Sequence, residues 1–105
     1  MVAIELTIDG KVKKFEKKEL FIRENIAAMQ FSFKQNKYLN KEDQTEEDIE
    51  ENQTNFADFI SYVFNREFTA EEFINGCTIK DSKKAENIYI ECLGGKSDDE
   101  KKDQA

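Results

Sequence analysis

The chain has 105 residues, a net charge of −7, two Cys and nine Phe, and it contains no His, Pro or Trp. That length holds one domain with a modest core, and no apolar run reaches the roughly 18 residues of a membrane span. Without His there is no Ser–His or Cys–His nucleophile pair, and the negative balance argues against nucleic acid as the main partner.

The first element is specified by alternation. Ile4, Leu6 and Ile8 alternate with Glu5 and Thr7, the period of a half-buried strand, and Asp9-Gly10 is a favoured type I′ turn. Val12 and Phe15 then fall in a second, more polar strand, giving a β-hairpin over about 3–16. Its outer edge carries Lys11, Lys13 and Lys14, which guard it against unwanted pairing. Next, Ile22, Ile26, Met29 and Phe33 recur at spacings of four, three and four, which predicts a helix over about 20–38, with Phe31 on a different side from Phe33. KEDQTEED reads as a loop.

Thr45 with Glu46, Glu47 and Asp48 is an N-cap followed by acids at the positive end of a helix dipole, so a second helix is expected over 45–65. Its first half has only Ile49 as an apolar residue. The second half, FADFISYVF, must be buried against the first helix and the hairpin, or against another subunit. Thr69 and Glu72 form a capping box, and Phe68 with Phe73 fits a hydrophobic staple. That opens a short helix over 69–76, with Gly76 read as a left-handed C-cap. Asp81 or Ser82 then caps a helix over 82–93 ended by Gly94-Gly95. The tail at 95–105 has no apolar anchor and is expected to be disordered. Residues 1–94 thus read as a single α+β domain, mostly helical: a two-stranded hairpin packed on four helices.

Candidate chemistry is sparse. Cys77 and Cys92 lack metal-site spacing, and with no apolar signal segment they read as free thiols in a reducing cytosol. The acidic run at 46–51 lacks the alternating oxygen ligands and central Gly of a calcium loop. No catalytic residue, cofactor or metal is expected. The aromatic residues are the open question, because Phe31, Phe33, Tyr38, Phe59, Tyr62, Phe64 and Tyr89 cannot all face one small core. Phe31, Phe33, Tyr38, Phe59 and Tyr62 are therefore candidates for an apolar groove that receives a partner helix. Charge is segregated as well. Residues 1–40 hold eight Lys or Arg against five Asp or Glu, and residues 41–64 hold one against eight. Lys13 and Lys14 of one copy could attract Glu46, Glu47 and Glu50 of another, giving a homo-oligomer.

The order of these motifs resembles a known family. Ile4, Leu6, Ile8, Asp9, Gly10 and Lys11 match an Ile-x-Leu-x-Ile-(Asn/Asp)-Gly-Lys ribbon. Phe64, Asn65, Arg66, Glu67, Phe68 and Thr69, then Phe73 and Gly76, resemble an aromatic-x-x-Phe-Thr turn, here one residue longer, into a helix that ends near Gly. Over residues 3–93 the chain is similar to the small tail assembly chaperones of long-tailed, siphovirus-type bacteriophages and prophages of Gram-positive bacteria. The resemblance implies a non-enzymatic protein of the bacterial host cytoplasm, absent from the mature virion. It implies binding to the hydrophobic tape measure protein, which such chaperones keep soluble while tube subunits polymerise. It also implies a longer frameshifted form that recruits tail tube protein. Two departures stand out: the loop before the second helix is unusually acidic, and the region after Gly76 is more polar than the family pattern. A structural tail component and a small regulatory or antitoxin-like binding module are the alternatives.

Overall fold

In a computed structural model, which describes residues 1–95, Asp9 and Gly10 adopt φ of 53° and 77°, the two positive angles that a type I′ turn requires. The turn joins β1 (Val2–Ile8) to β2 (Lys11–Lys17) as an antiparallel ribbon with Ile4 opposite Phe15 and Leu6 opposite Lys13. The sheet has no third strand, so one edge of β2 stays unpaired among the described residues. Four helices follow: α1 (Ile22–Leu39), α2 (Glu46–Val63), α3 (Ala70–Gly76) and α4 (Ile79–Cys92). The α+β, mostly helical architecture is as expected. The charged tail lies, from Lys96 onward, outside the described residues.

Alternation puts Val2, Ile4 and Leu6 on the inward face of β1, where all three are buried. Helices α3 and α4 pack on β1, and α1 packs on α2 and α4. The core is aromatic: Phe31, Phe59, Phe64, Phe68 and Phe73 are buried. Phe15 meets Phe68 edge-on at 4.8 Å, and Phe31 meets Tyr89 edge-on at 5.3 Å. The expected second half of α2 is buried, with Ala57, Phe59, Ile60 and Val63 inside.

Helix ends follow their local chemistry. Both Thr45 with Asp48 and Thr69 with Glu72 form reciprocal capping boxes. The staple is present too, with the Phe68 and Phe73 rings stacked at 6.4 Å. Helix α2 ends in a Schellman motif: the Arg66 amide donates to Ser61 O and the Asn65 amide to Tyr62 O. Asn65 and Arg66 hold φ of 58° and 57°, and the Ser61 hydroxyl donates to the Phe68 carbonyl across the turn. Gly94, at φ 91°, closes α4 in the same way, with Gly95 donating to Ile90 O.

Two local expectations are corrected. Helix α4 begins at Ile79, because Thr78 is the N-cap and its hydroxyl accepts from the Asp81 amide. Asp81 lies inside the first turn, where its charge complements the dipole. Gly76 is not a left-handed cap: it is the last helical residue of α3, and Cys77, in extended conformation, is the C-cap. Glycine is required there for contact, since a Cβ at 76 would lie 2.5 Å from the carbonyl oxygen of Thr7.

Helix α1 holds the largest departure from its sequence pattern. The residues facing the core are Glu24, Ala28 and Phe31, whereas the periodic stripe Ile22, Ile26, Met29 and Phe33 faces solvent. At 100° per residue the two sets lie on opposite sides of the helix. The helix is therefore apolar on two faces, and only one is used within the chain.

Candidate functional site

The first apolar surface is a groove of about 610 Å³. Phe31 comes from α1, Phe56 from α2, Phe73 and Ile74 from α3, and Ile79 and Tyr89 from α4. The rings pack upon one another: Phe31–Phe56 at 5.4 Å, Phe56–Phe73 at 6.1 Å and Phe56–Tyr89 at 6.5 Å. Interlocked rings give the groove a preformed floor. Ile79, 93% exposed, stands at its rim at the start of α4. Cys77 also lines it; burial, and then the nearby charge of Asp81, raise its thiol above the ordinary value, so it acts as an apolar wall.

The second surface is the outer stripe of α1, where Ile22, Ile26, Met29 and Phe33 are 73%, 46%, 50% and 64% exposed. Lys37 lies 4.8 Å over the Phe33 ring. On one side of the stripe runs a polar cleft of about 360 Å³ that includes Arg23, Lys34, Asp58, Tyr62 and Arg66. The Tyr62 ring is flanked there by the guanidiniums of Arg23 at 4.5 Å and Arg66 at 5.7 Å, and Arg66 also pairs with Asp58 at 2.9 Å.

The aromatic residues singled out in the sequence thus separate. Phe31 and Phe59, 4% and 5% exposed, are core residues, stacked on each other at 6.0 Å, and of the two only Phe31 also lines the groove. Phe33 is exposed, while Tyr38 and Tyr62 are half-buried, Tyr62 with its ring already engaged. What sequence reasoning missed is the groove rim, Ile74 and Ile79. Ile79 follows a Thr that caps the next helix, and an exposed Ile at a first helical position is the signal that could have marked it.

The charged candidates Lys13, Lys14, Glu46, Glu47 and Glu50 are all exposed. Lys13 and Lys14 are successive strand residues and so project from opposite faces of the ribbon. Lys14 already pairs with Glu16 at 3.2 Å.

One buried charge lay beyond sequence reasoning. Glu24 is fully buried at the third position of α1, whose N-cap, Phe21, has no capping side chain. Its carboxylate touches Lys17 Nζ at the end of β2, and Arg23 Nε lies 3.3 Å away. Neither carboxylate oxygen has aligned hydrogen-bond geometry, so the attraction is of charge, assisted by the helix dipole. Beside it, Asn25 Nδ2 donates to the carbonyl of Cys92 at 2.8 Å. Burial, and then the negative charge of Glu24, push the Cys92 thiol up to about 12. Both cysteines are free.

Among the described residues there is no group of three or more His, Cys, Asp or Glu side chains placed to hold a metal ion, and no helix long and apolar enough to cross a membrane. The surfaces available are suited to contact with another polypeptide. A family model described as "Phage tail chaperone protein" matches residues 1–105. No curated protein and no solved structure matches the chain.

Proposed function

We propose that this chain, which belongs to the phage tail chaperone family, binds the tape measure protein of its phage and keeps it soluble during tail assembly. Family membership makes it a tail assembly chaperone, a role that suggests protein partners and no catalysis. The observation that carries the finer reading is the amount of apolar side chain left in solvent. Ile22, Ile26, Met29 and Phe33 on α1, with Ile74 and Ile79 beside the aromatic groove, are all exposed in a chain of net charge −7. A long helical protein with repeated apolar stripes needs such cover until the tube encloses it, and the surplus negative charge keeps the covered complex dispersed. On this reading the protein acts in the cytoplasm of the infected cell, leaves before the virion is complete, and works as an oligomer. Recruitment of tail tube protein through a longer form belongs to the same proposal.

The test is coexpression with the tape measure protein of the same genome. The tape measure protein is expected to move into the soluble fraction and to co-purify with the chaperone. Insoluble tape measure protein, with no co-purification, would overturn the proposal. Mass spectrometry of purified particles separates a chaperone, expected to be absent, from a structural tail component.

A further inference from the structure

We infer that the outer face of α1 is a docking surface for an amphipathic helix of another protein that carries acidic residues along one flank. The inference rests on the proposed function and specifies which surface acts and what it selects. Ile22, Ile26, Met29 and Phe33 follow the four-three-four spacing of a coiled-coil seam, over about 16 Å of helix. They face away from the core side of the same helix, so nothing within the described chain covers them.

The margins of the seam decide the occupant. Arg23, Gln30, Lys34 and Lys37 lie along one side of it, and Asn25, Ser32 and Asn36 along the other. One margin is basic, the other neutral, and neither contains an acid. A second copy is a poor fit in both orientations. Antiparallel pairing of two α1 helices sets Arg23, Gln30 and Lys37 against Lys37, Gln30 and Arg23 of the other copy, like charge against like. Parallel pairing sets the basic margin against the neutral one, so three cations per helix gain no counter-charge. In the polar cleft beside Ile26, Arg66 is already neutralised by Asp58 at 2.9 Å, so the basic character of this side comes from Arg23, Lys34 and Lys37. A foreign helix with an apolar seam and Glu or Asp on the facing flank satisfies both the seam and the margin. The acidic flank also fixes its direction and register, as flanking charges do in helix pairs.

Two designed helical peptides test this against the full-length chain by fluorescence anisotropy at low salt. They share one Leu seam and differ only in the facing flank, Glu in one and Lys in the other. The Glu peptide is expected to bind at least tenfold more tightly, and the double variant K34E/K37E is expected to reverse the order. The variant I26S/F33S, at exposed positions that leave the fold intact by circular dichroism, is expected to lose both peptides. Equal binding of the two peptides, or binding unchanged in I26S/F33S, overturns the inference. So does a wild-type dimer that I26S/F33S converts to monomer while the Glu peptide fails to bind, which would assign the seam to a second copy. If I26S/F33S still co-purifies fully with the tape measure protein, the proposed function stands and this surface is wrong. If wild type does not co-purify but selects the Glu peptide, the surface stands and the partner is another protein.

Discussion

A single methyl group at position 76 would collide with the backbone of β1. The Cβ of Gly76→Ala would sit 2.5 Å from Thr7 O and 3.2 Å from Thr7 C and N, all of them main-chain atoms that cannot swing aside. Relief requires α3 to lift from the sheet, so Gly76→Ala should cost about 1–3 kcal/mol in urea unfolding, the range of overpacked sites. The hairpin-to-helix junction also depends on the buried pair Lys17–Glu24. Lys17→Ala leaves the fully buried Glu24 with only the half-exposed Arg23 beside it, and should cost about 3 kcal/mol or more. Replacing both partners by Met should recover most of that loss, because a packed apolar pair removes the desolvation cost together with the attraction. A double-mutant cycle in urea checks both statements. The same junction governs Cys92, whose thiol rises from 9.0 to about 12 on folding. The folded state therefore holds its proton where the unfolded state has lost it. Its effect on stability is nil below pH 9 and grows from pH 9 towards 12, where stability falls. In a Cys77→Ser background, native protein should resist thiol reagents at pH 8 and react at the rate of unfolding.

Phe31 and Phe33 sit two residues apart on α1 and show what an element adds to its residues. Phe31 packs against Phe56, Phe59 and Tyr89, so Phe31→Ala should cost about 3–5 kcal/mol. Phe33 meets solvent and Lys37, so Phe33→Ala should change stability by less than about 0.5 kcal/mol. Thermal or urea unfolding of the two variants distinguishes the faces directly. The contrast also marks the limit of the sequence. The hairpin turn, the Thr45 cap, the Thr69–Glu72 capping box and the Phe68–Phe73 staple were legible because each depends on neighbours within a few positions. The period of α1 was legible too, but period does not say which of two apolar faces meets the core. That choice was made by the Phe cluster of α2 and by Tyr89 of α4, which are distant in sequence. Glu24 was invisible for a related reason, since a Glu in the first turn of a helix is ordinarily solvated and only the end of β2 encloses this one. The meaning of Gly76 likewise came from the approach of β1. An apolar groove with Phe31 was expected, but its rim at Ile74 and Ile79 escaped notice because four elements contribute to its walls.

Across the whole molecule, charge is arranged more asymmetrically than the net value of −7 conveys. Among the described residues the hairpin presents an unpaired edge and exposed Lys11, Lys13 and Lys14, while the first turns of α2 present Glu46, Glu47 and Glu50 to solvent. Copies that meet hairpin to α2 would join opposite charges while leaving the groove and the α1 seam open for a client. Such an interface is screened by salt, since the Debye length falls to about 3 Å at 1 M from about 10 Å at 0.1 M. Self-association measured by sedimentation should therefore weaken on adding salt. The two lysines should not contribute equally. Lys14 already has Glu16 at 3.2 Å on the outer face of the ribbon, whereas Lys13, across from Leu6, has no ion pair among the described residues. Lys13→Glu should weaken association by about tenfold at low salt, Lys14→Glu by less, and Glu47→Lys introduced into the Lys13→Glu variant should restore part of the loss. A salt-insensitive oligomer that neither reversal affects would place the copy-to-copy contact on an apolar surface instead. The groove rim at Ile74 and Ile79 would then be the face to substitute, because the α1 seam carries like charges that oppose its own copy.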